Sequence, residues 1–199
     1  MNRGVAIALL KFGVRVMKKI PTIFERGDNF KVINKVRSGC EWVIAGEGIA
    51  TEKLDGTNVR LSVVSGKCIH LEKRRNPTKK QKQLGIQDGW YVDANSDDPA
   101  DQWIFEAMRN TDLSDVPDGK HCAEALGPKI QGNPLKLKEH ICVLFNLQAP
   151  VFENIARTFN ELRDALTDLE SLYSPGCRAE GIVFRHEDGR QAKIKCKDF

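Results

Sequence analysis

The stretch Thr51-Glu52-Lys53-Leu54-Asp55-Gly56-Thr57-Asn58 decides how the rest of the chain is interpreted. It places a lysine two residues before an aspartate, which a glycine follows at once. Because the alternation after Asn58 predicts a strand, we expect Lys53 in a loop that leads into that strand. A lysine amine in such a place can act as a covalent nucleophile. The alternative is a surface turn, since Asp-Gly pairs are common in turns and lysine is usually solvated.

Alternating apolar and polar residues predict antiparallel strands on both sides of this stretch. Apolar residues at every second position indicate a half-buried strand over 58–64, and Ser65-Gly66-Lys67 is typical of a hairpin turn that leads to a return strand over 68–73. Further strands are predicted over 41–49, 120–126, 140–147, 181–184 and 191–196. The last two are expected to form a hairpin.

Two segments have the apolar spacing of helices. They are residues 101–110 and residues 151–172, where apolar side chains recur at helical intervals from Ile155 to Leu169. The polar segment 74–99 is predicted to be an extended loop. Strands therefore dominate, and the predicted class is α+β with mainly antiparallel sheets.

The composition fits one globular domain. The chain has 199 residues, of which 41% are hydrophobic and 29% are charged, so a sizeable core can form. No apolar run reaches the length of a membrane span, so no membrane partner is expected. The net charge of +4 is compatible with a polyanionic partner but is too small to establish one.

The six cysteines stand singly and form no CxxC pair. The four histidines also lack the spacing of metal ligands. This pattern argues against a disulfide scaffold and against a zinc site. We therefore expect reduced thiols in a cytoplasmic protein, and structural roles for the histidines.

The first residues are expected to be an extension of the domain. Val5–Leu10 is apolar but short, and basic residues follow it without a small-residue cleavage site, which argues against a secretory signal. The residues from Met17 onward resemble a natural start. Residues 1–16 are therefore predicted to be dispensable, and residues 17–199 to form a single domain.

Four further segments carry residue types that suit phosphate chemistry. They are Lys73-Arg74-Arg75, Cys122–Asn133, Glu180–Val183 and Lys193–Lys197. Each one alone has an ordinary explanation, as a solvated charge cluster, a turn or an amphipathic strand. Their fixed order after Lys53 is what makes them informative together.

In this order the segments resemble the covalent nucleotidyltransferases, which include the ATP-dependent polynucleotide ligases and the mRNA capping guanylyltransferases. Lys53-Leu54-Asp55-Gly56 matches the KxDG nucleophile motif of that superfamily. The other matching positions are Arg74, Glu124, Phe145, Glu180-Gly181, and Lys195 with Lys193 or Lys197. The resemblance implies an antiparallel-sheet-rich, ATP-grasp-like adenylation domain with flanking helices.

Within the superfamily the chain most resembles the RNA ligases. Gly127–Asn133 is similar to the GPxIQGN segment of the phage and RNA-editing type, and Glu52 and Ile194–Lys197 also fit that type. The TEKxDGT and EGIV segments are similar to the eukaryotic 5′-to-3′ RNA ligase group. The resemblance implies ATP with Mg²⁺ or Mn²⁺, and RNA ends with a 5′-phosphate and a 3′-hydroxyl, or a nicked duplex, as substrates.

The same resemblance implies a role for each matching residue. Lys53 would form a covalent bond with AMP, and Arg74, Lys195 and Lys197 would act with it on the phosphates. Glu124 and Glu180 would hold the metal ion, as Mg²⁺ prefers carboxylate oxygens. The remaining nucleotide contacts are expected from Glu52, Asp55, Gly56 and Phe145, with Phe145 stacking on adenine.

The sequence departs from the ligase pattern at its end and leaves alternatives open. It ends two residues after Lys197, without the carboxy-terminal domain that most of these ligases carry. We therefore expect a minimal enzyme, one that relies on an accessory protein, or a shortened chain. The runner-up enzymes are a DNA ligase and a capping guanylyltransferase, and a non-catalytic nucleotide- or RNA-binding module is the alternative of another class.

Overall fold

The computed structural model describes residues 19–199, so the predicted extension at 1–16 lies outside the described residues. The strands are β1 (Phe24–Arg26), β2 (Val32–Val36), β3 (Ile49–Glu52), β4 (Thr57–Val64), β5 (Lys67–Arg75), β6 (Trp90–Asp93), β7 (Gly119–Leu126), β8 (Ile141–Leu144), β9 (Gly181–Arg185) and β10 (Gln191–Lys195). The helices are α1 (Glu41–Ile44), α2 (Lys79–Gln83), α3 (Gln102–Arg109), α4 (Phe159–Thr167) and a closing 3-10 turn (Cys196–Asp198).

The strands form three antiparallel sheets. The largest has the order β6-β5-β4-β7-β8, the second has the order β10-β9-β3, and β1 pairs with β2. The mixture of helices with antiparallel sheets confirms the predicted α+β class. Within residues 19–199, no helix has both the length and the apolar character needed to cross a membrane.

The five-stranded sheet has one apolar and one polar face. Val59, Leu61 and Val63 of β4 are fully buried in a core that also contains Ile104 of α3. Because side chains alternate along a strand, the residues between them project from the other face. Asn58 lies there, directly opposite Glu124 on β7.

The three-stranded sheet is built in the same way. Ala50, Ile182 and Ile194 belong to a second core that contains Leu162 and Leu166 of α4. The alternate positions carry Val183 and Lys193, which are paired across β9 and β10. Each sheet thus has its own core, and the polar faces are left to border a cavity.

The amino-terminal segment extends the three-stranded sheet beyond β10. The Lys193 amide donates to the Pro21 carbonyl at 2.9 Å, and the Ile23 amide donates to the Lys193 carbonyl at 3.0 Å. Thr22 thereby forms a parallel bridge with Lys193.

The predicted strand over 41–49 is wrong except at its end. Residues 41–44 form α1, and β3 begins only at Ile49. Trp42 and Val43 are neighbours in sequence and are both buried, which one helical turn allows and a half-buried strand does not. Gly48, with φ of +73°, turns the chain into β3, and a Cβ there would lie 2.6 Å from the Trp42 ring.

The predicted helix over 151–172 is much shorter, because only Phe159–Thr167 is helical. Its first part runs beside β3, where the Phe152 amide donates to the Ala50 carbonyl at 2.9 Å. Ile155 still packs against the same core as α4. The apolar spacing therefore indicates that these residues are buried in one core, but it does not indicate one continuous helix.

The predicted loop over 74–99 contains both α2 and β6. A capping box between Thr78 and Gln81 starts α2. β6 pairs with β5 and places Tyr91 opposite Arg74.

The six cysteines are free thiols, and three of them are buried. The predicted cytoplasmic location stays a prediction.

A buried ion pair fastens the segment after β6 to β5, and we predict that Asp101→Asn is strongly destabilising. Both Asp101 carboxylate oxygens contact the Lys73 amine, and these side chains are only 4% and 10% exposed. Removing one partner of a buried pair costs about 3–5 kcal/mol, because the other charge stays buried. Asp98→Asn is the control, since that carboxylate is 3.8 Å from the amine and 39% exposed. Urea unfolding should show a loss below about 1 kcal/mol for the control; equal losses for both variants would contradict the assignment.

Candidate active site

A cavity of about 320 Å³ lies where the polar faces of the two large sheets meet. It is lined by every residue predicted to contact the nucleotide except Lys197. The fold therefore brings together positions that are up to 143 residues apart, from Glu52 to Lys195. Its size is that of a small-molecule site.

Glu180 joins the predicted nucleophile to the last strand. Its Oε2 accepts a hydrogen bond from the Lys53 amine at 2.5 Å, and its Oε1 accepts one from the Lys195 amine. Burial disfavours the charge of Glu180, but the two lysines outweigh burial and keep the pKa of this carboxyl below its ordinary value. In this arrangement the Lys53 amine has to part from Glu180 before it can attack another atom.

The backbone around Lys53 explains how the amine is placed. The Lys53 amide donates to the Gly181 carbonyl at 2.9 Å, so the loop after β3 is held at the start of β9. Gly56 passes so close to β7 that a Cβ would lie 2.2 Å from the Ala125 carbonyl oxygen. Only a glycine allows the chain to cross there and enter β4.

Glu124 stands on β7 without an ionic partner among the described residues. It is 9% exposed, and its Oε1 accepts a hydrogen bond from the Gly56 amide at 3.0 Å. Burial raises the pKa of Glu124 to about 7, although Lys53 and the Gly56 amide act in the opposite direction. A carboxyl in this state gains much from a bound cation.

Asp55 and Arg74 also line the cavity around Lys53, the predicted nucleophile. Burial, and then the charge of Glu180, raise the pKa of Asp55 above its ordinary value. Arg74 projects from β5 and donates to Asn76 Oδ1 at 2.8 Å, while its buried Nε has no partner. Both residues leave polar atoms for a ligand.

Phe145 supplies an aromatic ring to the cavity lining. Phe145 follows β8, and the Arg185 guanidinium lies 4.9 Å from the centre of its ring. Arg185 is only 5% exposed, donates to Thr51 Oγ1 at 3.2 Å, and forms no ion pair within residues 19–199. Burial lowers the pKa of Arg185 to about 10.

Arg185 was missed by the sequence prediction. Its signal is the alternation along β9, in which Val183 and Arg185 share one face. That face becomes recognisable as a cavity wall only once Thr51 is known to pair with Val183.

The last strand, β10, ends at Lys195, so that Lys197 lies outside it. Lys193 and Lys195 lie on one face of the strand, and both line the cavity. Burial, with the charges of Lys53 and Lys195, lowers the pKa of Lys193 to about 8. Lys197 belongs to the following 3-10 turn and is exposed outside the cavity lining. Its predicted role in catalysis stays a prediction.

Glu52 lines the cavity and also holds a neighbouring loop. Its Oε2 accepts hydrogen bonds from the amides of Leu172 at 2.9 Å and Tyr173 at 3.0 Å, whereas its buried Oε1 has no partner. The side chain thus has a structural task, and its predicted place at the adenine edge stays a prediction.

The acids of the cavity fit a hard divalent cation. Among residues 19–199 there is no cluster of three or more acidic, histidine or cysteine side chains ready to enclose a metal ion. Mg²⁺ needs no such cluster, since it keeps several waters and usually takes one or two carboxylates. Glu124 and Glu180 supply two carboxylates, and Glu124 has no cationic partner of its own.

No protein-family model and no curated protein matches the chain. Among solved structures it is similar to the RNA ligase of Naegleria gruberi. An apo mutant has 18% identity and a TM-score of 0.47, with 98% of this chain and 62% of that chain covered. A mutant with ATP and Mn has 17% identity and a TM-score of 0.47, with 90% and 58% covered. The chain thus spans about three fifths of the length of those structures.

We predict that Glu124→Gln stabilises the metal-free protein at pH 8. Because the folded pKa of about 7 lies above the ordinary 4.5, Glu124 favours folding at low pH, and this contribution is lost as pH rises from 4.5 through 7. Glutamine carries no charge to bury. The free energy of unfolding of the variant should therefore exceed that of the unsubstituted protein by about 2–3 kcal/mol at pH 8, and by little at pH 4.5. Urea unfolding in EDTA measures this, with exposed Glu139→Gln as the control. An equal effect at both pH values would refute the assignment.

Proposed function

We propose that this chain is the nucleotidyltransferase domain of an ATP-dependent RNA ligase that forms a Lys53–AMP intermediate. The observation that supports this best is the contact of Glu180 with both Lys53 and Lys195 inside a cavity that also contains Glu124. A relic binding module has no need of a lysine amine, two carboxylates and further cations in one place. The chain spans about three fifths of the length of the N. gruberi structures. That it carries out the complete ligation reaction is therefore also a proposal.

The two ends of the cavity suit the two ends of a nucleotide. We place the phosphates beside Lys53 and Glu180, and the base beside Phe145 and Arg185. Gly181 and Arg185 are four residues apart on β9, which corresponds to about 13 Å along a strand. This length accommodates AMP with its phosphate at Lys53 and its base at Phe145, where stacking is favourable.

In the first step the Lys53 amine attacks the α-phosphorus of ATP. A bond forms between Nζ and phosphorus while the bond to the bridging oxygen of the β-phosphate breaks, so that pyrophosphate leaves and the amine releases its proton to solvent water. Lys193, Lys195 and Arg74 stabilise the negative charge that develops on the phosphate oxygens. Asp55 lies near the nucleophile and orients it.

Glu124 and Glu180 are the residues that would hold Mg²⁺ or Mn²⁺ in this site. The ion supplies neutralisation of the triphosphate charge when it is bound. Glu180 is shared between these tasks, since it also holds the Lys53 amine. Glu124 would exchange its proton for the ion, which agrees with its pKa of about 7.

The remaining steps pass AMP to the RNA and then release it. An oxygen of the RNA 5′-phosphate attacks the phosphorus of Lys53–AMP and frees the lysine. The 3′-hydroxyl then attacks the 5′-phosphate, forms the phosphodiester and expels AMP. Arg74 and Lys129 are the proposed phosphate contacts, and such contacts make sealing sensitive to salt.

One observation favours a second candidate, a capping guanylyltransferase that uses GTP. Arg185 offers the donors of a guanidinium at the base end of the cavity. Arginine pairs well with the O6 and N7 acceptors of guanine. The choice of nucleotide therefore distinguishes the candidates.

We predict that the protein becomes labelled when it is incubated with Mg²⁺ and ATP that carries ³²P at the α-phosphate. The adduct should be labile to acid and stable to base, as a phosphoramidate is, and should be absent in Lys53→Ala. Lys79→Ala, on the exposed face of α2, is the control and should label normally. No adduct, or one that survives Lys53→Ala, would refute the proposal, and preferential labelling by GTP would favour the capping enzyme.

We predict different effects for the lysines at the end of the chain. Lys193→Met should slow Lys53 labelling by about 10²–10³-fold, the usual cost of losing one group that stabilises charge in the transition state. Lys197→Met should change the rate by less than about threefold, because Lys197 is exposed outside the cavity lining. Rapid-quench labelling with saturating ATP measures both rates. The reverse ranking would restore Lys197 to the catalytic role predicted from the sequence.

A further inference from the structure

A buried histidine lies under the loop that follows β7. His140 is 4% exposed, and its ring stacks on Trp103 of α3 with centres 5.1 Å apart and an interplanar angle of 17°. Its Nδ1 lies 3.0 Å from Glu106 Oε1 on the same helix. Its Nε2 accepts a hydrogen bond from the Lys129 amide at 3.2 Å.

These two bonds fix the protonation state of the ring. The Lys129 amide can only donate, so Nε2 must offer a lone pair. The carboxylate of Glu106 accepts, so the ring proton belongs on Nδ1. The neutral Nδ1–H form satisfies both partners, whereas a protonated ring would point an N–H at the N–H of Lys129.

The loop above the ring is strained and needs to be held. Gln131, Gly132 and Asn133 have φ values of +48°, +72° and +52° in succession. Residues other than glycine persist in this conformation only where their surroundings impose it. Gly127 lies directly against His140, since a Cβ would be 2.5 Å from the ring.

Side-chain contacts hold this loop in addition to its backbone hydrogen bonds, in which the Ile130 amide donates to the Gly127 carbonyl and the Asn133 amide to the Ile130 carbonyl. Ile130 is buried in the core of the five-stranded sheet, and the Asn133 side chain bonds the backbone of Leu137. The hydrogen bond from the Lys129 amide to His140 is a further contact, two residues before Gln131. Gln131 is the residue of this loop that lines the cavity.

We propose that His140 is a positioning residue for the nucleotidyl transfer: as a neutral Nδ1–H imidazole it holds the loop so that Gln131 faces the nucleotide. The inference rests on the proposed function. Glu106 is the charged side chain that faces the ring from α3, while the loop presents the Lys129 backbone and the Gly127 Cα.

Two substitutions of His140 distinguish the role of its hydrogen-bond acceptor, Nε2, from the role of the ring as a whole. Glutamine carries an amide oxygen near the place of Nε2, so His140→Gln should keep the Lys129 bond and label within about threefold of the original rate. Asparagine is too short to reach Lys129, so His140→Asn should label roughly tenfold to a hundredfold more slowly, as expected for a misplaced contact. Exposed His70→Gln serves as the control and should label at the rate of the unsubstituted protein.

A double variant tests whether His140 acts through Gln131. If it does, His140→Asn with Gln131→Ala should be no slower than Gln131→Ala alone, because coupled changes are not additive. Additive losses, or equal rates for His140→Asn and His140→Gln, would overturn the proposal. Circular dichroism confirms that each variant is folded at the assay temperature.

Amide hydrogen exchange gives a readout that does not depend on activity. The Lys129 amide should be protected in the original chain and in His140→Gln, and exposed in His140→Asn. Protection in all three would overturn the anchoring by His140 even if labelling is normal. Protection that follows this pattern in a protein that forms no Lys53 adduct would instead show that the proposed function is wrong and the anchor is right.

Discussion

The contact of one carboxylate with two lysines is the constraint on which the site depends. Glu180 holds Lys53 and Lys195 together, and these residues come from a loop after β3 and from the end of β10. The negative charge of Glu180 neutralises part of the positive charge of the cavity. Glu180 directly precedes β9, the strand that lies between β3 and β10. Without a carboxylate at position 180, the lysines would repel each other at the place where a phosphate is proposed to bind.

The polar faces of two sheets are brought together at a cost that the cores offset. Glu124 and Arg185 are almost completely buried without an ionic partner among the described residues. Burial disfavours the charged form of both, because it raises the pKa of Glu124 and lowers the pKa of Arg185. The fully buried Val59 and Leu61 on one sheet, and Ile182 and Ile194 on the other, provide the apolar burial that keeps the faces in place. The predicted gain in stability for Glu124→Gln has the same cause, because a buried carboxylate that suits a polar site lowers the stability of the fold.

Motifs and strand alternation were enough to select most residues of the candidate site, whose roles stay predictions, but not its limits. Lys53, Glu124 and Glu180 could be selected because their residue types recur in a known order, and the cavity contains all three. The choice between Lys193 and Lys197 could not be made, because both are two residues from Lys195 and alternate with apolar residues. The end of the strand at Lys195 makes the difference, because Lys197 lies in the following 3-10 turn and is not part of the cavity lining.

The errors in the fold prediction have a related cause. A short apolar run at Trp42 and Val43 marks burial but does not distinguish a helical turn from a strand. In the same way, Ile155 packs in the core of α4 without being helical, so the apolar period was extended too far. Arg185 escaped notice because its surroundings come from Thr51 and Phe145, which are distant in sequence.

The hydrogen bonds between residues 21–23 and β10 set a limit on how far the chain can be trimmed. Pro21 and Ile23 occupy the backbone groups of Lys193 that would otherwise form an open sheet edge. A chain that starts at Met17 keeps this cover, whereas one that starts after Ile23 exposes a strand edge on which another molecule can pair. Since the Lys193 side chain belongs to the cavity, aggregation through that edge and loss of the site would arise from the same cut.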